Sequence, residues 1–141
     1  MAHYVCICGG RDEDTPEHEA AMRDILWFLK AFYGVGLRVM HGDARGIDRL
    51  AGRVAAELEI PVKAYPADWG RGKRGGIERN EYMAGLLVSW EQLEHSTEVI
   101  AFPGGRGTAH MSSFSEKLGL NVTYLDLENP RPPEEWTVGG R

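Results

Sequence analysis

The sequence has few cysteines, no long apolar run and no excess of positive charge over its 141 residues. Its two cysteines, Cys6 and Cys8, lie two residues apart in a predicted strand, so their side chains point to one face and cannot form a structural disulfide. We therefore expect reduced thiols in the core. No apolar run is long enough to span a bilayer, and the first residues lack the charged-then-apolar pattern of a secretory signal. These absences predict a cytoplasmic protein without a membrane partner.

The charge balance excludes a protein that coats nucleic acid through overall basicity. The formal net charge is -5 and the sequence pI is about 5.5. Yet residues 63–79 carry five positive side chains against two negative ones. We expect part of this cationic stretch, residues 66–76, to be a long loop that is either solvated surface or a cover over a ligand, because long loops in small domains are often functional.

Short apolar runs alternate with amphipathic patterns along the whole chain. The predicted strands are residues 4–8, 37–40, 61–65, 99–102 and 122–125, and a helical pattern follows each of the first four. This alternation predicts an α/β fold, a Rossmann-like three-layer sandwich with a five-stranded parallel sheet of order 3-2-1-4-5. The length suits one domain, residues 1–126, followed by a proline-rich tail, residues 127–141.

Two of the predicted helices have informative boundaries. Thr15 and Pro16 form an N-terminal signature for the first helix, and Gly34 ends it. Its apolar stripe is Ala21, Ile25, Phe28, Leu29 and Phe32. The third helix is predicted from residue 77 to about 93, with Arg79 and Asn80 in its first turns.

Three strand-to-helix turns are rich in glycine, at residues 9–11, 41–46 and 103–108. Glycine lets the backbone approach a bulky anion, and the free N–H groups and positive dipole end of a helix favour negative charge. One such turn is often only a geometric connection. In the predicted strand order, however, all three come from adjacent strands and meet where the order reverses, which is where open α/β sheets bind ligands. Together they predict a site for a phosphate-bearing ligand.

We assign the predicted ligand contacts by their chemistry. Arg11, Arg106 and Thr108 would contact phosphate directly, because a guanidinium fork and a hydroxyl are good donors to an anion. Trp69 either stacks on a base or packs its loop onto the domain, and Arg79 and Asn80 could reach the sugar or a second phosphate. The predicted ligand-binding set is Gly9, Gly10, Arg11, Gly42, Asp43, Arg45, Asp68, Trp69, Arg79, Asn80, Pro103, Gly104, Gly105, Arg106, Gly107 and Thr108.

The acidic residues of the second turn have two interpretations. Asp43 or Asp48 could accept hydrogen bonds from a ribose hydroxyl or could cap the helix that Ile47 begins. For Asp48 we favour a buried pair with a nearby arginine, and Arg45 either faces the ligand or pairs with an aspartate. The five histidines show no ligand-like spacing, so no metal site is predicted, and no cofactor is implied.

Longer motifs in the chain resemble the YspA-like family of the SLOG superfamily. The similar stretches are residues 8–12, 41–51, 67–69, 78–80 with Met83, and 101–111, within about residues 4–122. The resemblance implies a Rossmann-like domain that binds nucleotides or nucleotide-derived ligands, often in phage or bacterial conflict settings. It also implies kinship with the LOG phosphoribohydrolases and with DNA-processing protein A, whose glycine-alanine-arginine-glycine-isoleucine-aspartate stretch is similar to residues 44–48.

The chain departs from the LOG pattern at two places that matter for catalysis. Asn80 follows Arg79 where those enzymes carry a lysine, and Met111 stands where they carry a glutamate. A methionine can neither donate nor accept the proton that splitting an N-glycosidic bond requires. The remaining catalytic candidates are Arg79, Glu81 and His110, and the plain alternative for the last two is a solvated helix residue.

The leading hypothesis is therefore binding of a small phosphorylated nucleoside, ADP-ribose-like or a nucleoside phosphate, by a sensor, carrier or sponge. One alternative is a LOG-like nucleoside 5′-monophosphate phosphoribohydrolase. Another is binding of single-stranded DNA in the manner of DNA-processing protein A, through the cationic stretch; nucleic acid is an alternative partner and not the favoured one. We also expect a homo-oligomer, a dimer or higher, because the resemblance implies pairing.

Overall fold

Five parallel strands form one sheet in the order β3-β2-β1-β4-β5, which confirms the predicted topology. The computed structural model describes residues 1–127, so the predicted proline-rich tail lies, after its first residue, outside the described residues. The strands are β1 His3–Cys8, β2 Leu37–His41, β3 Val62–Ala64, β4 Ser96–Ala101 and β5 Val122–Tyr124. In the central register Val5 of β1 pairs with Val39 of β2 and Glu98 of β4.

Within residues 1–127, four α-helices cover the two faces of this sheet. They are α1 Pro16–Tyr33, α2 Ile47–Glu57, α3 Lys73–Gln92 and α4 Arg106–Lys117. The first two crossovers run in one direction along the sheet and the last two in the other, so right-handed connections place α1 with α2 on one face and α3 with α4 on the opposite face. None of the helices in residues 1–127 combines the length and apolarity needed to cross a membrane.

Each face of the sheet has its own apolar core. Val5 and Ile7 point into the cluster under α1 and α2, and Cys6 and Cys8 point into the cluster under α3 and α4. This alternation along β1 follows from the two-residue period of a strand. Both cysteines are buried free thiols on one face, as expected from their spacing.

The apolar stripe predicted for α1 is partly wrong. The buried residues of this helix include Met22, Ile25, Leu26 and Leu29, which follow the i, i+3, i+4, i+7 spacing of one helical face. Phe32 lies in the last turn of α1, is 64% exposed, and stacks on the ring of Phe28 in the same helix. Helical spacing therefore predicts burial well in the middle of α1 but not in its last turn.

The third helix begins four residues earlier than predicted, at Lys73. The Asp68 carboxylate accepts a hydrogen bond from the Gly70 amide and so caps a 3-10 turn over Trp69–Arg71, directly before α3. Gly75 packs against the backbone of Asp68, where a side chain would collide. The glycines that suggested a long loop therefore allow the helix to start against the preceding turn, and no covering loop of a dozen residues exists here.

Candidate functional site

A cavity of about 730 Å³ opens at the carboxyl edge of the sheet, between the turns that follow β1 and β4. These strands are neighbours at the point where the strand order reverses, because β2 lies on one side of β1 and β4 on the other. The volume of the cavity lies in the range of small-molecule sites, about 300–1,000 Å³. The structure thus places a ligand-sized cavity at the edge where α/β sheets bind their ligands.

The first and third glycine turns touch each other and form one wall of this cavity. The Gly10 amide donates to the Pro103 carbonyl over 2.9 Å, and a Cβ atom on Gly10 would lie 3.2 Å from the Gly104 Cα. The second turn joins them, because the Ile47 amide donates to the Gly10 carbonyl over 3.1 Å. A left-handed φ of 82° at Gly46 brings the start of α2 to that carbonyl.

Gly42 of the second turn is buried beneath Arg79 and does not line the cavity. The Arg79 guanidinium donates from Nη1 to the Gly42 carbonyl and, over 3.2 Å, to the Tyr65 carbonyl. It also donates from Nε to the Asn80 side chain over 2.9 Å. Arg79 thus satisfies the carbonyl groups at the ends of β2 and β3, and its burial lowers its pKa.

The N-terminus of α4 faces the cavity. No side chain among residues 1–127 caps it, and its N-cap residue is Gly105. The Asn80 amide donates to the Gly107 carbonyl over 3.1 Å, so α3 holds this turn in place. Arg106 is exposed in the first turn, and the hydroxyl of Thr108 packs against Gly104. The first-turn amides and the Arg106 cation form a positive end on this wall.

Asp48 forms part of the cavity wall and is only 5% exposed. Its Oδ2 accepts hydrogen bonds from the Gly42 amide over 3.2 Å and the Ala44 amide over 3.3 Å. Burial raises the pKa of Asp48 to about 6, although these hydrogen bonds and the charge of Arg79 oppose the shift. The expected arginine partner acts at longer range, since backbone amides hold the carboxylate directly. Asp48 organises the turn before α2 and does not cap the helix N-terminus.

Asp43, Arg45 and Asp68 lie outside the cavity wall. The Asp43 carboxylate lies 3.5 Å from the Nε of Arg49. Arg45 pairs with Asp12 over 3.3 Å, and both side chains are exposed. Each of these polar side chains, including that of Asp68, which caps the 3-10 turn, therefore has a protein partner.

Trp69 and Arg11 contact each other at the cavity. The Arg11 Cζ atom lies 5.1 Å from the centre of the Trp69 ring, within cation–π range. The tryptophan is 53% exposed. Next to it, Lys73 and Ile77 reach the cavity from the first turns of α3.

Two of the three catalytic candidates, Glu81 on α3 and His110 on α4, lie next to each other. The His110 Nε2 lies 3.6 Å from the Glu81 carboxylate, beyond hydrogen-bond distance, and it is buried without a hydrogen-bond partner. His110 lines the cavity but Glu81 does not. Met111 is buried in the wall, and Cys8, also in the wall, has its pKa raised to about 12 by burial, so its thiol stays protonated at neutral pH.

The cavity collects most of the predicted ligand-binding residues but not all of them. Those that line it are Gly9, Gly10, Arg11, Trp69, Arg79, Asn80, Gly104, Gly105, Arg106, Gly107 and Thr108. Those that do not are Gly42, Asp43, Arg45, Asp68 and Pro103. The cavity also includes one face of α3 that was not predicted, because the helix begins before the residue its sequence pattern indicates. The residues of this face recur at helical spacing and are Lys73, Gly76, Ile77 and Met83.

The sheet order and the cavity at its reversal point define a Rossmann-like α/β domain. The model of the YspA, cpYpsA-related SLOG family matches residues 4–72. The gene 61 protein of Mycobacterium phage D29 is 36% identical over an alignment of 97 residues, and this alignment covers 62% of this chain and 70% of that protein. The chain belongs to the YspA, cpYpsA-related SLOG family, as its motifs suggested, and it has a relative in a phage.

A solved structure of DNA processing protein A from Streptococcus pneumoniae has a similar fold. It aligns with a TM-score of 0.51 and 19% identity, over 86% of this chain. The chain spans 58% of the length of that protein. At this identity the similarity supports the Rossmann-like fold alone.

Proposed function

We propose that this protein binds a small phosphorylated nucleoside in the cavity at the β1/β4 edge, as a sensor, carrier or sponge. The observation that carries the proposal is the uncapped N-terminus of α4, which opens onto a ligand-sized cavity beside Arg11 and Arg106. Helix N-termini with free amides are ready sites for phosphate, and arginine adds charge-assisted hydrogen bonds. Membership of the SLOG family supports a nucleotide-related ligand or a role in DNA processing.

The remaining wall of the cavity suits the other parts of a nucleotide. Asp48 is the acidic residue of the second turn that lines the cavity, so we assign the ribose hydroxyls to it. Trp69 and Ile77 offer apolar surface for the base. The α3 residue that packs on Trp69 is Gly76, and the one that holds the α4 turn is Asn80. Gly76 and Asn80 are about one helical turn apart, roughly 5–6 Å. This distance is about the size of one sugar, so α3 spaces the base from the phosphate by one ribose.

Binding is tested with two alanine variants of helical glycines. Gly107 and Gly85 both have open space where a Cβ would lie, and alanine favours helix over glycine by up to about 1 kcal/mol. Gly107 lies in the first turn of α4 at the cavity, whereas Gly85 lies in α3 away from it. We expect both variants to keep or gain stability, and only Gly107→Ala to weaken binding, because its methyl group crowds the amides that hold phosphate.

The measurement is isothermal titration of the wild type and both variants with the four nucleoside 5′-monophosphates and with ADP-ribose. A melting-temperature rise with ligand concentration checks each titration, since a ligand that binds the folded state stabilises it by mass action. Equal affinity of Gly107→Ala and Gly85→Ala would contradict the assignment of phosphate to α4. Absence of binding of every ligand, together with a mobility shift of single-stranded DNA at low salt, would favour the DNA-binding alternative.

The contact between His110 and Glu81 supports a second candidate, hydrolysis of the N-glycosidic bond. An imidazole beside a carboxylate is a common acid–base arrangement, and the unpartnered Nε2 of His110 lies against Glu81. In this reaction water adds its oxygen to C1′ of the ribose, the bond from C1′ to the base breaks, and the base leaves with a proton. Release of free base from nucleoside monophosphates, lost in His110→Ala, would establish turnover; binding without release would exclude it.

A further inference from the structure

Arg11 connects the two ends of the cavity that the proposed function assigns to phosphate and base. Its backbone follows Gly10, whose amide is bonded to the Pro103 carbonyl beside the α4 turn. Its guanidinium lies instead over the ring of Trp69, 5.1 Å from the ring centre. The side chain therefore starts at the phosphate end and covers the aromatic surface at the other end.

The cation–π contact is what restrains this guanidinium. Among residues 1–127 no ion pair or hydrogen bond holds the Arg11 side chain, although Arg45, Arg53 and Arg71 each pair with a carboxylate. The tryptophan, by contrast, is packed against α3, because a Cβ on Gly76 would lie 3.1 Å from its Cη2 and 3.3 Å from its Cζ3. Of the two partners, Arg11 is the one able to move by changing rotamer.

We propose that Arg11 and Trp69 make the cavity selective for ligands that carry both a phosphate and a planar base. This inference rests on the proposed function. A phosphate at the α4 N-terminus draws the guanidinium of Arg11 toward it, because a charge-assisted bidentate hydrogen bond is stronger than a cation–π contact at an exposed site. The move uncovers the Trp69 ring, and the base stacks on the ring in its place.

Two consequences distinguish this arrangement from two independent subsites. A nucleoside without phosphate has to displace Arg11 from the tryptophan and gains no new partner for the cation. Phosphate and nucleoside therefore bind cooperatively, and by linkage each raises the affinity of the other by the same factor. From the strength of an exposed cation–π contact we expect a factor of about two to five.

The test is titration of adenosine, followed by calorimetry, with and without saturating inorganic phosphate. In the wild type, phosphate is expected to tighten adenosine binding by about two- to fivefold. In Arg11→Ala adenosine is expected to bind more tightly than to the wild type, because Trp69 is already uncovered, and phosphate no longer improves its binding. Arg38→Ala is the matched control for lost charge: Arg38 bonds the backbone carbonyls of Val35 and Leu37, away from the cavity, and the variant should behave as wild type.

Titration with inorganic phosphate alone completes the test, because Arg11→Ala should bind phosphate more weakly and adenosine more tightly than the wild type. These opposite changes are the decisive result. If Arg11 had only a structural role, Arg11→Ala would weaken the binding of both adenosine and phosphate. The same result would follow if the base stacked on the guanidinium itself. Weaker adenosine binding in Arg11→Ala, or no effect of phosphate in the wild type, would overturn the inference. Titration with intact AMP distinguishes failure of this inference from failure of the proposed function. If AMP binds but its fragments do not bind cooperatively, only this inference fails. If neither AMP nor its fragments bind, the proposed function fails for this ligand, and the inferred selectivity fails with it.

Discussion

At the scale of single residues, Asp48 combines a structural role with a position in the cavity wall. Its carboxylate orders the turn after β2 through two backbone amides while the side chain forms part of the cavity wall. Because burial outweighs those bonds, the folded state favours the protonated form more than the unfolded chain does, and the pKa rises from 3.8 to about 6. The buried carboxylate at the cavity therefore lowers the free energy of unfolding near neutral pH.

This shift has a definite sign in the pH dependence of folding. Between about pH 4 and pH 6 the folded protein holds a proton on Asp48 that the unfolded chain has released. The free energy of unfolding should then decrease as the pH rises through this window, by up to about 3 kcal/mol from this residue. Burial lowers the pKa of His41, which has the opposite effect near pH 6 and is present in every variant compared.

The Asp48→Asn variant should lose most of that decrease, because its amide oxygen still accepts the two backbone hydrogen bonds but carries no charge. The measurement is urea unfolding at pH 4 and pH 7 for the wild type, Asp48→Asn and the exposed control Asp24→Asn. We expect the control to follow the wild type. An unchanged pH dependence in Asp48→Asn would show that the carboxylate is not desolvated in solution.

At the scale of secondary-structure elements, α1 depends on a reciprocal cap at its first turn. The Thr15 hydroxyl accepts from the His18 amide over 3.3 Å, and the His18 ring accepts from the Thr15 amide over 3.3 Å. The His18 ring also lies 2.9 Å from the Glu13 carboxylate. Two helix-end donors are satisfied in this way.

Replacing this cap should destabilise the protein by a measurable amount. Thr15→Ala removes the hydroxyl acceptor, and we expect the free energy of unfolding to fall by about 1 kcal/mol, within the usual 0.5–2 kcal/mol for such caps. Thr15→Ser keeps the hydroxyl and should retain most of that stability. The measurement is chemical denaturation of the three proteins, and equal loss in both variants would show that the hydroxyl does not cap α1.

The contact between α1 and α2 includes a closed ring of charges on the surface. Glu19 and Glu57 each pair with both Arg23 and Arg53. All four side chains keep a third or more of their surface exposed. Solvent and salt screen such pairs, so we attribute the stability of this helix pair to the apolar core beneath it.

At the scale of the whole molecule, the sheet separates two apolar cores that are both needed for the fold. Leu26 lies in the core under α1 and α2, and Leu87 lies in the core under α3 and α4; both side chains are fully buried. Alanine at either position should cost about 2–5 kcal/mol through lost burial and a cavity. Because the two side chains share no core cluster, the costs should add to within about 0.5 kcal/mol in the double variant.

Thermal and urea unfolding of the two single variants and the double variant checks this expectation. Domains of this size are stable by only about 5–15 kcal/mol, so the double variant should be close to unfolding at room temperature. A loss in the double variant far below the sum would mean that the two faces do not unfold as one unit.

The order of strands and the position of the turns were determined by the sequence alone. Each apolar run, each helical stripe and each glycine that ends an element is a local pattern, and right-handed crossovers leave few ways to arrange them. The strand order and the meeting of the Gly10 and Gly104 turns followed from these local patterns.

Tertiary structure decided what lies between those turns. Arg79 fills the space over Gly42, Asp48 lines the cavity in place of Asp43, and α3 starts early because Gly75 packs on Asp68. These results depend on which side chain reaches an unpaired carbonyl or amide of a distant strand, and such contacts leave no periodic trace in the sequence. Local patterns place the elements, whereas long-range packing and desolvation assign each polar side chain its partner.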